Sequence, residues 1–351
     1  MLEGPPSITR VTARLVDRDP AVTPERILAD LVVPPQFEHE RFSTYVPDPA
    51  QPSQAAAVAA LEAFAARLAE PSKSRAWFRR GAPPESRAGV YLDGGFGVGK
   101  THLLASLWHA VPGPKAYGTF VEYTNLVGAL GFATTVDSLT RYRLVCIDEF
   151  ELDDPGDTVL MSTLLGRLVE AGVRLAATSN TLPERLGEER FAAEDFLREI
   201  QGLSAHFDVV RIEGQDYRHR GLPSPTPPMD DDALAASAAA WPGATIDVWG
   251  DLQGHLARVH PSRYGAMLDG VTAVHLVGVR TLTDQVQALR TVVLVDRLYD
   301  RGIPVRTSGV SLDRLFSQDM LQGGYRKKYR RALSRIAALA REDDTPEGAS
   351  P

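Results

Sequence analysis

Apolar and polar positions fall along this chain in blocks of two kinds. From Val90 to about Arg211, short apolar runs of buried-strand type alternate with longer segments whose apolar residues recur at helical spacing. The strand candidates are Val90–Leu92, Lys115–Val121, Leu144–Ile147, Val173–Thr178 and Val209–Ile212. Such alternation predicts a parallel sheet with crossover helices. Upstream, Thr23-Pro24-Glu25 combines a capping threonine with a proline at the first helical position, so a helix starts there and ends before Pro34-Pro35. A second helix, rich in Ala and Leu, is expected from about Ser53 to Leu68. Residues before about Ala21 read as loosely structured. Lys73 to Arg87 reads as an exposed basic loop, since Lys73, Arg75, Arg79, Arg80 and Arg87 sit there among Pro and Gly.

Gly221-Leu222-Pro223-Ser224-Pro225-Thr226-Pro227-Pro228 is the clearest linker. Asp230-Asp231-Asp232 follows it and opens an Ala-rich helical segment. The expected division is a helical lead-in over 1–87, a core over 88–220, a Pro-rich linker over 221–233, an α/β region over 234–340 and a disordered tail over 341–351. Sliding the sequence by 130 positions lays Leu144–Leu182 over Val274–Leu312. Leu152, Asp154, Leu164, Arg167, Leu168, Gly172 and Leu182 then meet Leu282, Asp284, Leu294, Arg297, Leu298, Gly302 and Leu312. The C-terminal region thus reads as a degenerate half-copy of the core. Asp148 and Glu149 meet Gly278 and Val279, so the second copy would keep a scaffold and lack the acids.

Composition narrows the class. At 351 residues the chain is long for one core. Its 44% hydrophobic and 24% charged residues are ordinary for a soluble globular protein. The net charge of −7 argues against wholesale nucleic-acid binding. One cysteine, Cys146, excludes an internal disulfide framework or a multi-cysteine zinc site and fits a reducing, cytoplasmic compartment. No secretory leader pattern and no apolar run of membrane-spanning length is visible.

The chemistry begins at Gly94-Gly95-Phe96-Gly97-Val98-Gly99-Lys100-Thr101, which fits the P-loop pattern G-x-x-x-x-G-K-[ST] between a strand and a helix. Glycines let backbone N–H groups close around phosphate oxygens, and the helix N-terminus adds positive potential. Lys100 would reach the β- and γ-phosphates of ATP, and the Thr101 hydroxyl would bind Mg²⁺. His102, next in line, belongs to the same candidate phosphate cradle. Roughly fifty residues on, Leu144-Val145-Cys146-Ile147 ends in Asp148 and Glu149. Asp148 is placed to hold Mg²⁺ as a Walker-B aspartate, and Glu149 to polarise a water for in-line attack. Cys146 reads as a small buried strand residue. The next strand ends in Thr178-Ser179-Asn180, where Asn180 would face the ligand crevice and sense the γ-phosphate.

Together with Asp216-Tyr217-Arg218, Phe196-Leu197 with Ile200, Leu298-Tyr299-Asp300 and Arg331-Ala332-Leu333-Ser334-Arg335-Ile336, these motifs resemble the ZapE family of AAA+-type ATPases, bacterial division-associated proteins with mitochondrial relatives. The resemblance runs from Asp48-Pro49-Ala50-Gln51 to Tyr325–Ile336. It implies an AAA+-like P-loop NTPase fold of the ASCE type, ATP hydrolysis, and in bacteria action on the division-ring protein FtsZ. It also implies Gln51 as an adenine-side contact, Asn180 as sensor 1, and Arg335, with Arg331 beside it, as a sensor-2-like contact. Family members usually carry a trans-acting arginine just before the Phe-Leu pair. Here Ala193 stands there, with Arg190 and Arg198 flanking it as alternatives. The family's Phe-Met…His segment is replaced by Thr119–Thr124, and its Asp-Tyr by Arg263-Tyr264, which leaves the ATPase core intact and alters the partner surface.

The expectation is therefore a cytoplasmic, homo-oligomeric ATPase acting on a protein partner, FtsZ or another division or membrane-associated protein, possible recruitment to the division site included. Two alternatives stay open: a helicase-loader-like DNA-linked ATPase, which Gly99-Lys100-Thr101-His102-Leu103-Leu104 also resembles, and a nucleotide-gated adaptor that does not hydrolyse.

Overall fold

The computed structural model describes residues 13–70, 87–95, 97–151, 155–182, 197–214 and 227–340. The chain forms two compact units, Thr23–Gly221 and a second made of Met1–Val22 with Leu222–Pro351. The stretch expected as one lead-in, 1–87, contributes to both.

In the first unit the elements run α1 (Pro24–Ala29), α2 (Pro52–Ala69), β1 (Gly89–Gly94), α3 (Lys100–Ala110), β2 (Lys115–Thr119), α4 (Phe120–Leu130), α5 (Phe132–Leu139), β3 (Leu144–Asp148), α6 (Pro155–Glu170), β4 (Arg174–Ser179), α7 (Leu197–Ser204) and β5 (Phe207–Ile212). The sheet order is β2-β3-β4-β1-β5, with every pairing parallel. β4 thus separates the P-loop strand β1 from the acid-bearing strand β3, which is the ASCE arrangement. Strand side chains alternate between two apolar layers. Val90, Leu92, Leu144, Cys146 and Ala176 pack with Leu61 of α2 and Leu104 and Leu107 of α3. Tyr91, Val145, Ile147, Leu175 and Ala177 pack with Phe120, Leu126, Leu164 and Leu168 on α4 and α6. Because all five strands are parallel, their carboxyl ends share one edge, and β1, β3 and β4 deliver the P-loop, Asp148 and Asn180 there.

One strand is shorter than its apolar run suggests. The expected Lys115–Val121 strand stops at Thr119 because Thr119 and Glu122 form a reciprocal capping box. The Thr119 amide donates to Glu122 Oε2 at 2.6 Å, and the Glu122 amide to Thr119 Oγ1 at 3.3 Å. Phe120 and Val121 therefore begin α4.

The second unit contains α8 (Asp231–Ala240), β6 (Ala244–Val248), α9 (Trp249–Arg258), α10 (Tyr264–Met267), β7 (Ala273–Val279), α11 (Gln285–Asp300), β8 (Val305–Gly309), α12 (Gln318–Gln322) and α13 (Arg326–Leu339). Its parallel sheet runs β6-β7-β8. Asp230 caps α8 by accepting from the Ala233 amide at 2.8 Å. Residues 13–19 were expected to be loose, yet they are built into this unit. Leu15 is fully buried in its core, Ala13 bridges in parallel to Thr245, and Asp247 accepts from the amides of Leu15 and Val16 at 2.9 and 3.1 Å. Arg18 adds hydrogen bonds to the carbonyls of Met267 and Asp269, both at 2.9 Å.

The 130-residue offset holds at the level of elements. α6 shifted by 130 falls on α11, and β3 and β4 shifted likewise overlap β7 and β8. Even the hydroxyl at the strand end recurs. Ser308 Oγ accepts from the Gly278 amide at 2.8 Å, and Thr178 Oγ1 accepts from the amide one position further along, that of Glu149, at 3.0 Å. Gly278 and Val279 occupy the places of the two acids, so the second copy keeps the βαβ frame without the carboxylates.

Candidate nucleotide site

The P-loop needs its glycines for two physical reasons. Gly97 and Gly99 have φ of 74° and 84°, a region costly for side chains with a Cβ. Gly99 also has Tyr45 against it, since a Cβ there would lie 2.6 Å from Tyr45 Cε2. Gly94 approaches β5 so closely that its Cβ would overlap the Ile212 carbonyl oxygen, whereas among the described residues nothing crowds Gly95. Val98 is buried, and its carbonyl accepts from the Tyr45 hydroxyl at 2.9 Å. Phe96 lies outside the described residues. The helical ladder of α3 starts with the Leu103 amide bonding to the Gly99 carbonyl, so the amides of Lys100, Thr101 and His102 belong to the first turn, where helices bind anions.

Lys100 ties the loop to the neighbouring strand. Its ammonium donates to the carbonyls of Gly94 and Gly95 at 2.8 and 2.5 Å and to Asn180 Oδ1 at 2.8 Å. These are the N–H groups a phosphate would compete for. Asp148, only 5% exposed, is the centre of the acid side. Its Oδ1 accepts from the Thr178 hydroxyl, from the Glu149 amide at 3.1 Å and from the Thr101 hydroxyl at 3.4 Å, and its Oδ2 accepts from the Tyr117 phenol at 3.0 Å. Glu149 has φ of 55°, the one non-glycine among the described residues in the left-handed region. The Thr178 hydroxyl and Asp148 carboxylate hold its amide, and the Phe150 amide bonds to the Thr178 carbonyl at 2.7 Å. Phe150 is fully buried against the rings of Tyr91 and Phe120. The backbone thus leaves the strand direction at Glu149, clamped on both sides. Cys146, two residues before Asp148 on β3, is pushed well above the ordinary thiol range by burial and then by Asp148, so it stays a neutral packing residue.

Thr101 and Asp148 offer a hydroxyl and a carboxylate within hydrogen-bond reach of each other. That pair of hard oxygen donors fits Mg²⁺, which keeps several of its own waters and takes few protein ligands.

The other candidates are dispersed. Gln51 sits at the N-cap of α2 without a side-chain capping bond. Three residues on, Gln54 is buried and bonded at both ends, accepting from the Asp48 amide at 2.8 Å and donating to the Glu213 carbonyl at 3.0 Å. The His102 ring turns to the segment before α2, with Nδ1 3.2 Å from Glu40 Oε2 and Nε2 3.0 Å from Thr44 Oγ1, leaving only its backbone for the cradle. Arg198 is exposed in the first turn of α7. Arg190, Ala193, Phe196 and Asp216-Tyr217-Arg218 lie outside the described residues. Arg331 and Arg335 belong to the second unit, where both bond to Asp296 of α11 and Arg335 also lies over the Tyr299 ring. Burial alone would raise the Asp296 pKa, but the two guanidinium groups outweigh it and hold the carboxyl below its usual range.

Sequence reading missed Tyr117, Tyr45 and Gln54, and gave no role to Thr178 within the polar strand end. Thr178 carried a signal, as a hydroxyl residue at the end of an apolar strand, two residues before Asn180. Tyr117 carried none, because its partner lies on another strand.

Comparison with known proteins places the chain. Among solved structures it is similar to DnaI, at 19% identity and a TM-score of 0.39 over 52% of this chain and 98% of that one. Among curated proteins it is 28% identical to the cell division protein ZapE of Escherichia coli K12 over 168 residues, 44% of this chain and 45% of that protein. It is 24% identical to lactation elevated protein 1 homolog B of Danio rerio over 162 residues, 40% of this chain and 32% of that protein. The matched stretch spans less than half the length of these curated relatives. The family model for AFG1-like ATPases matches residues 21–245 and 242–345, most of the chain and parts of both units. With the P-loop, the acid pair and the polar strand end already on one sheet edge, that match settles the family: the chain belongs to the AFG1-like ATPases.

Proposed function

We propose that this AFG1-like ATPase hydrolyses ATP and uses the turnover to act on a protein partner. The observation that supports hydrolysis best is the chain of hydrogen bonds joining Lys100 to Asn180 and Thr101 to Asp148 at one sheet edge, with Glu149 next to Asp148. In this reading the Lys100 ammonium exchanges the Gly94 and Gly95 carbonyls for phosphate oxygens and stabilises transferred charge. Thr101 and Asp148 would hold Mg²⁺, which when bound supplies positive charge to the β- and γ-phosphate oxygens. Asn180 orients the attacking water and Glu149 accepts its proton. Gln51 faces the adenine.

An arginine from a neighbouring copy would complete the site, which implies a homo-oligomer. Exposed Arg198 is suited to that role, with Arg190 the alternative. Arg335 is better explained by its place on Asp296. Because a relative is named as a cell division protein, and the motif set resembles the ZapE family, the proposed partner is the division ring protein FtsZ, reached from the cytoplasm. Among the described residues no helix is long and apolar enough to cross a membrane.

The test uses the Glu149→Gln variant, expected to bind ATP and retain the assembled state. Co-sedimentation of this variant with FtsZ polymers in ATP, and loss of it in ADP, is the expected result. Equal sedimentation in both nucleotides, or none, removes FtsZ from the reading. ATP turnover stimulated by DNA in a salt-dependent way would instead favour a DNA-linked ATPase.

A further inference from the structure

Tyr117 is a tyrosine in the middle of β2, almost fully buried at 2% exposure, and no phosphate-binding or acid motif includes it. The β2–β3 register pairs Tyr117 with Cys146 and Thr119 with Asp148, so the phenol reaches along the sheet by two residues to meet the acid. Its hydroxyl donates to Asp148 Oδ2 at 3.0 Å. Among the described residues, the other three donors to that carboxylate converge on Oδ1: the Thr178 hydroxyl, the Glu149 amide and the Thr101 hydroxyl.

We propose that Tyr117 is a positioning residue for the metal-binding carboxylate, pinning the plane of Asp148 so that Oδ1 stays on Thr101 and Thr178. This rests on the nucleotide-site reading above. The physical reason is the freedom of a carboxylate about its last torsion, which has broad, two-fold wells. Hydrogen bonds on one oxygen alone leave the other free to swing. A buried phenol on the second oxygen removes that freedom, and it satisfies an acceptor that burial would otherwise penalise. The Thr101 hydroxyl, donating its proton to Oδ1, keeps its oxygen lone pairs for a cation. Outer partners of metal-holding carboxylates commonly set the affinity of such sites.

The test is Mg²⁺-dependent binding of a fluorescent ATP analogue to the full chain, wild type against Tyr117→Phe, with a parallel titration in EDTA. The Mg²⁺ concentration for half-maximal binding should rise by about tenfold in the variant. The affinity measured in EDTA should stay at the wild-type value, a split that a merely structural defect would not produce. 4-Aminophenylalanine at position 117, which restores an N–H donor, should return the Mg²⁺ requirement to wild type. If Tyr117→Phe does not fold, 4-fluorophenylalanine, of tyrosine size and without a donor, replaces it in the comparison. An unchanged Mg²⁺ requirement in the donor-free protein overturns the role of Tyr117. A wild type whose nucleotide binding ignores Mg²⁺ overturns the metal site itself, so the two failures are distinct.

Discussion

Glu149 offers a test whose sign is set by backbone physics. Its φ of 55° is a left-handed conformation that costs an L-residue with a Cβ about 1–2 kcal/mol. In ordinary strand or helix positions, glycine is less stable than alanine by about 0.5–1 kcal/mol because it loses more backbone freedom. At position 149 the strain term exceeds the entropy term, so the order reverses. Glu149→Gly should be more stable than Glu149→Ala by about 0.5–1 kcal/mol. Comparing these two variants cancels the lost glutamate side chain, which both lack. Both also keep the amide that bonds to Thr178 Oγ1 and Asp148 Oδ1. Equilibrium urea unfolding, with hydrogen exchange on the β3 and β4 amides to assign the transition to the first unit, reads the difference. Both variants should fail to hydrolyse ATP, so the stabilised glycine protein would be inactive. An alanine variant as stable as the glycine one, or more so, refutes the claim that the acid is held in a strained backbone.

The remaining expectations concern neighbouring contacts and the second unit. Thr178→Val removes a hydrogen bond to a buried carboxylate and should cost about 2 kcal/mol in urea unfolding, while Thr178→Ser stays near wild type. Arg335→Met should destabilise the second unit by about 2 kcal/mol, because Asp296 loses one of its two guanidinium partners, and leave ATP affinity unchanged. A variant with normal stability and lost hydrolysis would return Arg335 to the γ-phosphate. Burial pushes His275 down to about 4, so the native state keeps it neutral while the unfolded chain takes up a proton below about pH 6.5. The unfolded state then binds more protons, and stability falls as pH drops from 6.5 toward 4, by on the order of 3 kcal/mol. Measuring unfolding across that range, with His275→Asn flattening the slope, checks it.

What was legible in the chain was what is local or periodic. The P-loop glycines announce themselves because they must take positive φ or accept close neighbours, and Asp148 because an apolar strand ends on it. The half-copy was visible because a strand, a helix and a second strand recur at one spacing. Contacts made across strands were not legible. Tyr117 looks like any strand aromatic until the β2–β3 register sets it beside Asp148. Leu15 and Val16 look like part of a loose terminus until Asp247, over 230 residues away, accepts their amides. Thr119 and Glu122 did carry a capping signal, but the apolar Phe120-Val121 that follows extended the strand reading past it. The terminal arginines belong with these contacts: spacing brings Arg331 and Arg335 onto one helix face, and only the fold shows Asp296 between them.

The most direct test of the central claim is phosphate release by the purified chain with ATP and Mg²⁺, measured beside ATP affinity for wild type and Glu149→Gln. A working hydrolytic site predicts steady release from wild type and none from the variant, with ATP affinity the same in both. Equal release from the two proteins, or tight ATP binding by wild type with no release at any protein concentration, would contradict it.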